Sequence, residues 1–318
     1  MTSVRAVLGD QPASQLGRVD YHDHLFQVSA LLPGDELTDE ATSTREAELL
    51  RASGFQSMVD ATPTGLGRDP AGLARISAAT GLSILASTGA HREEHHGASH
   101  WLLEKTTAQL VRRFAADVQL GMPERDQPTK SQPALSPTGK PVRAGVLKAG
   151  IGYWSITAFE HRVIEAVAEA HAQTAAPVMV HLEYGSAAWE VLDLLTGCGV
   201  EASPVVLAHI DRNPDPGLHV ELAARGAYLG YDGVARHKSW PDSVILSCLL
   251  EAARRGANER VILGGDVARR TRYIAAGGMP GLAYLGDRFV PRMIKAGGND
   301  LARMVLEANP QRWAARFP

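Results

Sequence analysis

Eight short β-type runs alternate with seven longer helical stretches along 318 residues, and most of the runs end on a polar side chain. Together these predict an α/β fold, a single-domain (β/α)8 TIM barrel over 1–318, because repeated βα units close a parallel sheet in about this length. The β-type runs are 19–24, 56–60, 83–88, 143–148, 177–181, 205–209, 227–230 and 261–265, mostly apolar and bounded by Gly, Pro or polar residues. Between them, 36–53, 70–80, 101–120, 158–174, 186–196, 216–225 and 241–255 read as helices, several with Ser, Thr or Asp near the start and Gly near the end. Prolines, polar residues and the lack of apolar periodicity make 121–142 a surface excursion within the same domain. Residues 282–318 predict two further helices that close the barrel.

With 45% hydrophobic and 21% charged residues the chain can bury a sizeable core without staples. A net charge of −3 supplies no bulk positive field, so neither nucleic acid nor an anionic membrane is an expected partner. Residues 1–12 lack an apolar signal core and no run of about 18 apolar residues occurs, from which a cytoplasmic location is expected. Cys198 and Cys248 show no metal-type spacing and read as buried thiols, with a disulfide between them left open.

The polar residues at the run ends form a set: His22, His24, Lys148, His181, His209 and Asp266. In a parallel barrel the C-terminal strand ends converge on one mouth, so these distant residues become neighbours. Two histidines two apart on a strand face the same way and can grip one divalent ion, whereas an isolated pair is more often simply hydrogen-bonded. His181 and His209 each follow an apolar strand directly, and Asp266 ends Val261-Ile262-Leu263-Gly264-Gly265-Asp266. Asp266 reads either as a carboxylate able to take a proton or as a helix N-cap. Lys148 needs explaining, because an ammonium is a poor neighbour for cations. Desolvation lowers its pKa, and the neutral amine can add carbon dioxide to become a bridging carbamate; a salt bridge to Asp266 or Glu183 stays open.

The chain resembles the phosphotriesterase family of the amidohydrolase superfamily. The resemblance rests on His22-Asp23-His24-Leu25, on Lys148 in Gly145-Val146-Leu147-Lys148-Ala149-Gly150, on His181, on Leu207-Ala208-His209-Ile210-Asp211-Arg212, on Gly265-Asp266 and on Asn309-Pro310-Gln311-Arg312, in family order. It implies two divalent metals, zinc foremost with manganese or cobalt as alternatives. His22, His24 and Asp266 would hold the buried metal and His181 and His209 the exposed one, with carboxylated Lys148 and a hydroxide between them. Lys148-Ala149-Gly150-Ile151-Gly152-Tyr153, Gly230-Tyr231-Asp232-Gly233 and Pro241-Asp242 look like the branch that hydrolyses phosphorylated sugar lactones. In that branch Lys238, Arg270 and Tyr273 match phosphate-holding positions.

The expected activity is therefore lactone opening: hydroxide attacks the ring carbonyl and Asp266 carries the proton to the departing alkoxide. Tyr153 is a candidate to hydrogen-bond the carbonyl or to pack as a wall. Arg269, Arg270, Arg272 and Tyr273 suit an anionic substrate bidentately, or else form a solvated basic loop. A phosphotriesterase or an acyl-homoserine lactonase using the same centre is the alternative, and a silent ligand-binding barrel a further one; low aromatic content, 6%, counts against an apolar triester pocket. His91, His95, His96 and His100 form a histidine cluster that reads as a substrate-contacting or solvated loop, with His91 closest to a strand end. The expected partner is a small-molecule substrate, an anionic lactone, and a homodimer stays open.

Overall fold

The computed structural model describes residues 3–127 and 131–315. Part of the excursion, 128–130, and the end of the C-terminal helical stretch, 316–318, lie outside the described residues. Eight parallel strands stand side by side in chain order: β1 (Val19–Asp23), β2 (Ser57–Asp60), β3 (Ser83–Gly89), β4 (Val146–Ile151), β5 (Val178–Leu182), β6 (Val205–Ala208), β7 (Tyr228–Tyr231) and β8 (Val261–Leu263). Helices α1 (Glu40–Ala52), α2 (Pro70–Thr80), α3 (Thr107–Gln119), α4 (Ala158–Thr174), α5 (Ala188–Gly197), α6 (Pro216–Ala224) and α7 (Asp242–Ala252) surround them, followed by α8 (Val290–Arg303). The chain is a (β/α)8 barrel.

Local chemistry sets the boundaries. Thr157 caps α4 through a reciprocal capping box with Glu160, and Thr106 does the same for α3 with Gln109. The second box cuts the predicted helix 101–120 in two, leaving Trp101–Glu104 as a separate 3-10 turn. An N-terminal hairpin, Ser3–Ala6 paired with Gly9–Pro12, was not anticipated by the sequence pattern; it is only four residues a side. β4 begins three residues later than predicted because Ala144 and Gly145 donate sideways, to Asp117 O and Ala86 O. Lys148 consequently stands third of six in β4, inside the barrel instead of at its rim. Gly89 is required opposite it, since a Cβ there would meet Lys148 O at 1.9 Å. The excursion is stitched down by Met122 N to Val142 O and Ala134 N to Met122 O, both 2.8 Å. Cys198 is exposed where a buried thiol was expected, Cys248 is buried, and both are free. No helix among the described residues is long and apolar enough to cross a membrane.

Two apolar layers hold the barrel. One lies between sheet and helices; the other fills the barrel with Val19, Val59, Leu85, Val146, Met179, Val206 and Ile262, closed below by Val4, Leu16 and Trp313. β8 meets β1 outside the regular ladder: Gly265 and Asp266 both donate to His22 O, at 3.2 and 2.8 Å. Gly264 and Gly265 allow this approach, because a Cβ would lie 2.9 Å from His22 N and 2.7 Å from Asp23 Oδ2 respectively. Below the seam, the Asn309 amide donates to Val261 O at 2.7 Å and Asn258 O at 2.8 Å, holding the start of β8. Asn309→Ala removes the donor to the buried Val261 O and the part-buried Asn258 O and should cost roughly 2–6 kcal/mol in chemical denaturation, at about 1–3 kcal/mol for each unsatisfied group; a change below about 0.5 kcal/mol would assign the anchoring to packing instead.

Candidate metal centre and its cavity

The strand ends at the C-terminal mouth open into a cavity of about 420 Å³. His22, His24, His181, His209 and Asp266 all line it, while Lys148 is fully buried beneath. His22 Nε2 and His24 Nε2 face Asp266 Oδ1 at 3.7 and 3.6 Å. Ligand atoms of these three residues lie within 4.8 Å of one another. The His181 and His209 rings meet edge to face with centroids 4.4 Å apart. The structure therefore gathers five of the predicted centre residues at the mouth, with Lys148 below them and near enough for its charge to act on His22 and His24.

Each histidine has one nitrogen anchored. His22 Nδ1 donates to Asp232 Oδ2 at 3.1 Å and His209 Nδ1 to Asp232 Oδ1 at 2.6 Å. His24 Nδ1 meets Thr62 Oγ1 at 2.7 Å, and His181 Nε2 donates to Glu183 Oε2 at 2.9 Å. The other nitrogen of His181, Nδ1, is buried without any hydrogen-bond partner. An orphaned imidazole nitrogen behind a carboxylate-anchored one fits a metal ligand with its orienting partner. Burial, with the nearby Lys148 charge, pushes His22 and His24 down to about 4, so both are neutral, the form a cation needs.

Asp266 is negative. Burial alone would raise its carboxyl, but Arg236, then His209, His24 and His22, hold it well below the usual carboxylate range. Arg212 bonds its Oδ2 at 2.6 Å, and Arg236 binds the same oxygen. Burial lowers the Lys148 amine to about 8 against the pull of Asp266, Asp60 and Asp232, so a usable fraction is neutral near pH 7. Its Nζ donates to Ala61 O at 2.7 Å, and neither salt bridge left open by the spacing forms. The residues present fit a divalent centre, with neutral imidazoles, one ionised carboxylate and a desolvated amine.

Asp232 went unassigned in the sequence pattern, although it lies in the quoted Gly230-Tyr231-Asp232-Gly233. An acid flanked by glycine reads as a turn. Only its place after an apolar run, like those of His209 and Asp266, signalled more.

The substrate set is not brought together. Tyr273 is fully buried, and its hydroxyl donates to His24 O, so it backs His24 instead of facing a ligand. Arg270 is exposed in a separate cleft with Glu36, Asp39 and Tyr273, beside two carboxylates that repel an anion. Lys238 and Tyr153 are exposed, and neither lines the cavity. The guanidinium groups on the cavity belong to Arg92, Arg212, Arg236 and Arg269. The histidine cluster divides: His91 and His95 line the cavity with rings 3.9 Å apart, whereas His96 and His100 pair with each other behind it.

The family model described as "Phosphotriesterase family" matches residues 2–314. The chain is 29% identical to a phospho-furanose lactonase of Mycoplasmopsis synoviae, covering 97% of this chain and 90% of that protein. It is 27% identical to an N-acetyltaurine hydrolase of Danio rerio, covering 98% and 97%. A crystal structure of a lactonase from Listeria monocytogenes superposes over 100% of both chains with TM-score 0.88 at 29% identity.

Asp232→Asn should weaken divalent-cation binding about 10- to 100-fold in a chelator competition, the usual cost of removing a ligand's orienting partner. Unchanged affinity would mean that His22 and His209 hold their orientation without it.

Proposed function

Because the chain belongs to the phosphotriesterase family, we propose that it is a metal-dependent hydrolase of ester bonds that opens lactones, in the first place phosphorylated sugar lactones. The observation that carries this reading is a polar, arginine-lined cavity directly above the histidine and aspartate cluster. A neutral triester would prefer apolar walls, and the lactonase names of the similar proteins point the same way. His22, His24 and Asp266 would hold one cation, His181 and His209 a second, and Lys148, as its carbamate, would join them; zinc is the first choice. When bound, such a pair activates water and polarises a carbonyl.

The chain's own groups supply the rest. Asp266 accepts the proton of the attacking water, whose oxygen bonds to the carbonyl carbon; the ring C–O bond breaks and the same carboxyl returns the proton to the ring oxygen, giving the hydroxy acid. Arg212 and Arg236 keep Asp266 ionised until then. Glu183 and Asp232 orient the histidines, and Lys148, once carboxylated, would supply the anion between the two cations.

Elemental analysis of zinc- or manganese-loaded protein should give close to two ions per chain. Lys148→Ala should lose the centre and regain some activity with added short carboxylic acids. Full activity without rescue would refute the bridging role.

Lactones should be hydrolysed with higher kcat/KM than neutral triesters; the reverse order would install the phosphotriesterase reading. For the anionic tail we favour Arg269, which lines the cavity, over Arg270, which does not. Arg269→Met should lose on the order of tenfold in kcat/KM for a phosphorylated lactone, about 1.4 kcal/mol, and little for its unphosphorylated counterpart. A larger selective loss in Arg270→Met would move the phosphate to the outer cleft.

A further inference from the structure

Among the described residues, non-glycine positions with left-handed backbone are concentrated at the mouth. Ala175 caps α4 at the opposite end; the others lie in the loops after β4 to β8. His209 (φ 65) and Asp266 (φ 48) belong to the candidate metal centre. Strain of this kind persists only where the surroundings impose it, and it gathers at functional sites. Trp154 (φ 48) and Tyr184 (φ 54) are the bulky cases, for which positive φ is a genuine outlier.

Their side chains lie mostly in solvent. Trp154 is 63% exposed and Tyr184 57%, with Tyr153 beside them at 61%. Tyr153 and Tyr184 meet edge to face, centroids 5.8 Å apart. One serine braces the two loops: Ser186 Oγ accepts from Trp154 N at 3.1 Å and donates to Glu183 O at 2.7 Å. Glu183 in turn anchors His181 and pairs with Arg92 on the cavity wall. Such φ values favour Gly or Asn and disfavour large aromatic side chains. Here aromatic faces are held in solvent at a backbone cost and tied to the wall of the candidate site.

We propose that Tyr153, Trp154 and Tyr184 form a stacking edge for an apolar C–H face on the non-reacting part of the substrate. A second sugar ring and an acyl chain share that chemistry. The inference rests on the lactone reading and extends it, because the arginine-lined cavity takes the reacting ring with its anion while the aromatic edge lies outside that lining. The preferred substrate is then larger than a single phosphorylated ring.

The test uses the whole metal-loaded chain with Trp154→Asn and Tyr184→Asn, since Asn tolerates left-handed backbone. Phosphorylated lactones are compared bare, with a glycosidically linked ring, and with an acyl chain. Each variant should keep the wild-type rate on the bare lactone and lose about fivefold in kcat/KM, through KM, on whichever extension stacks. Its Tm should hold or rise. A ring-selective loss identifies a sugar and a chain-selective loss an acyl group. Equal rates on all three lactones, or a fall of several degrees in Tm, would overturn the proposal. So would a dimer-to-monomer shift in sedimentation, which would give these aromatics to a second copy of the chain. Non-hydrolysable lactams bearing the same extensions provide a readout without turnover: they should change tryptophan fluorescence in the wild type and not in Trp154→Asn. No wild-type change overturns the stacking edge, whereas a change in protein that opens no lactone overturns only the hydrolase reading.

Discussion

The candidate site depends on one buried carboxylate. Asp232, just beyond β7, accepts from the side chains of Tyr21 and His22 on β1 and from both the ring and the backbone N–H of His209 after β6. Burial would raise its carboxyl, but His209 and His22 outweigh that and hold it ionised. An unpaired carboxylate at this depth would be costly; with these donors it becomes a fixed negative point that dictates which nitrogen of each ring carries the proton. It also draws the His209 N–H inward, where that residue has left-handed backbone. Fold and chemistry meet here, because the same oxygens join three strands and orient two imidazoles.

Charge balance makes a second constraint. Arg212 and Arg236 both grip Asp266, and Arg272 lies close enough to feel Arg236, its guanidinium lowered to about 10 by burial and that repulsion. Asp266 is not their only counterpart: Arg212 is also held charged by Asp232, Asp211 and Glu183, and Arg272 faces Asp23 as well. Carboxylation of Lys148 would exchange a positive for a negative group in the middle of this set. Paired in this way, the guanidinium groups are no obstacle to a cation beside Asp266.

Much of this was legible in the chain. The βα rhythm yielded all eight strands, and His22, His24, His181, His209 and Asp266 were visible because each ends an apolar run or sits two apart on one. Lys148 was found for its oddity, though its depth depended on where β4 begins, which is set by hydrogen bonds to Asp117 and Ala86 far away in sequence. Asp232 was missed because its partners lie 23 and 210 residues away. Tyr273 shows the same limit: among arginines it suggests an anion site, yet its hydroxyl is taken by His24 O, 249 residues distant. Local pattern reports which face a residue occupies. It does not report which partner across the barrel has claimed its polar atom.

The closure of the barrel adds a final consequence. β8 and β1 are joined above by two N–H groups converging on His22 O, at the place where His22, His24 and Asp266 face one another. A cation bound there would act as a clasp across the seam, contributing to the cohesion of the whole cylinder as well as to its chemistry. Occupancy and folding are then linked equilibria: a chelator would loosen the barrel at its first and last strands, and the newly made chain would gain its clasp only after β8, the last strand, has emerged.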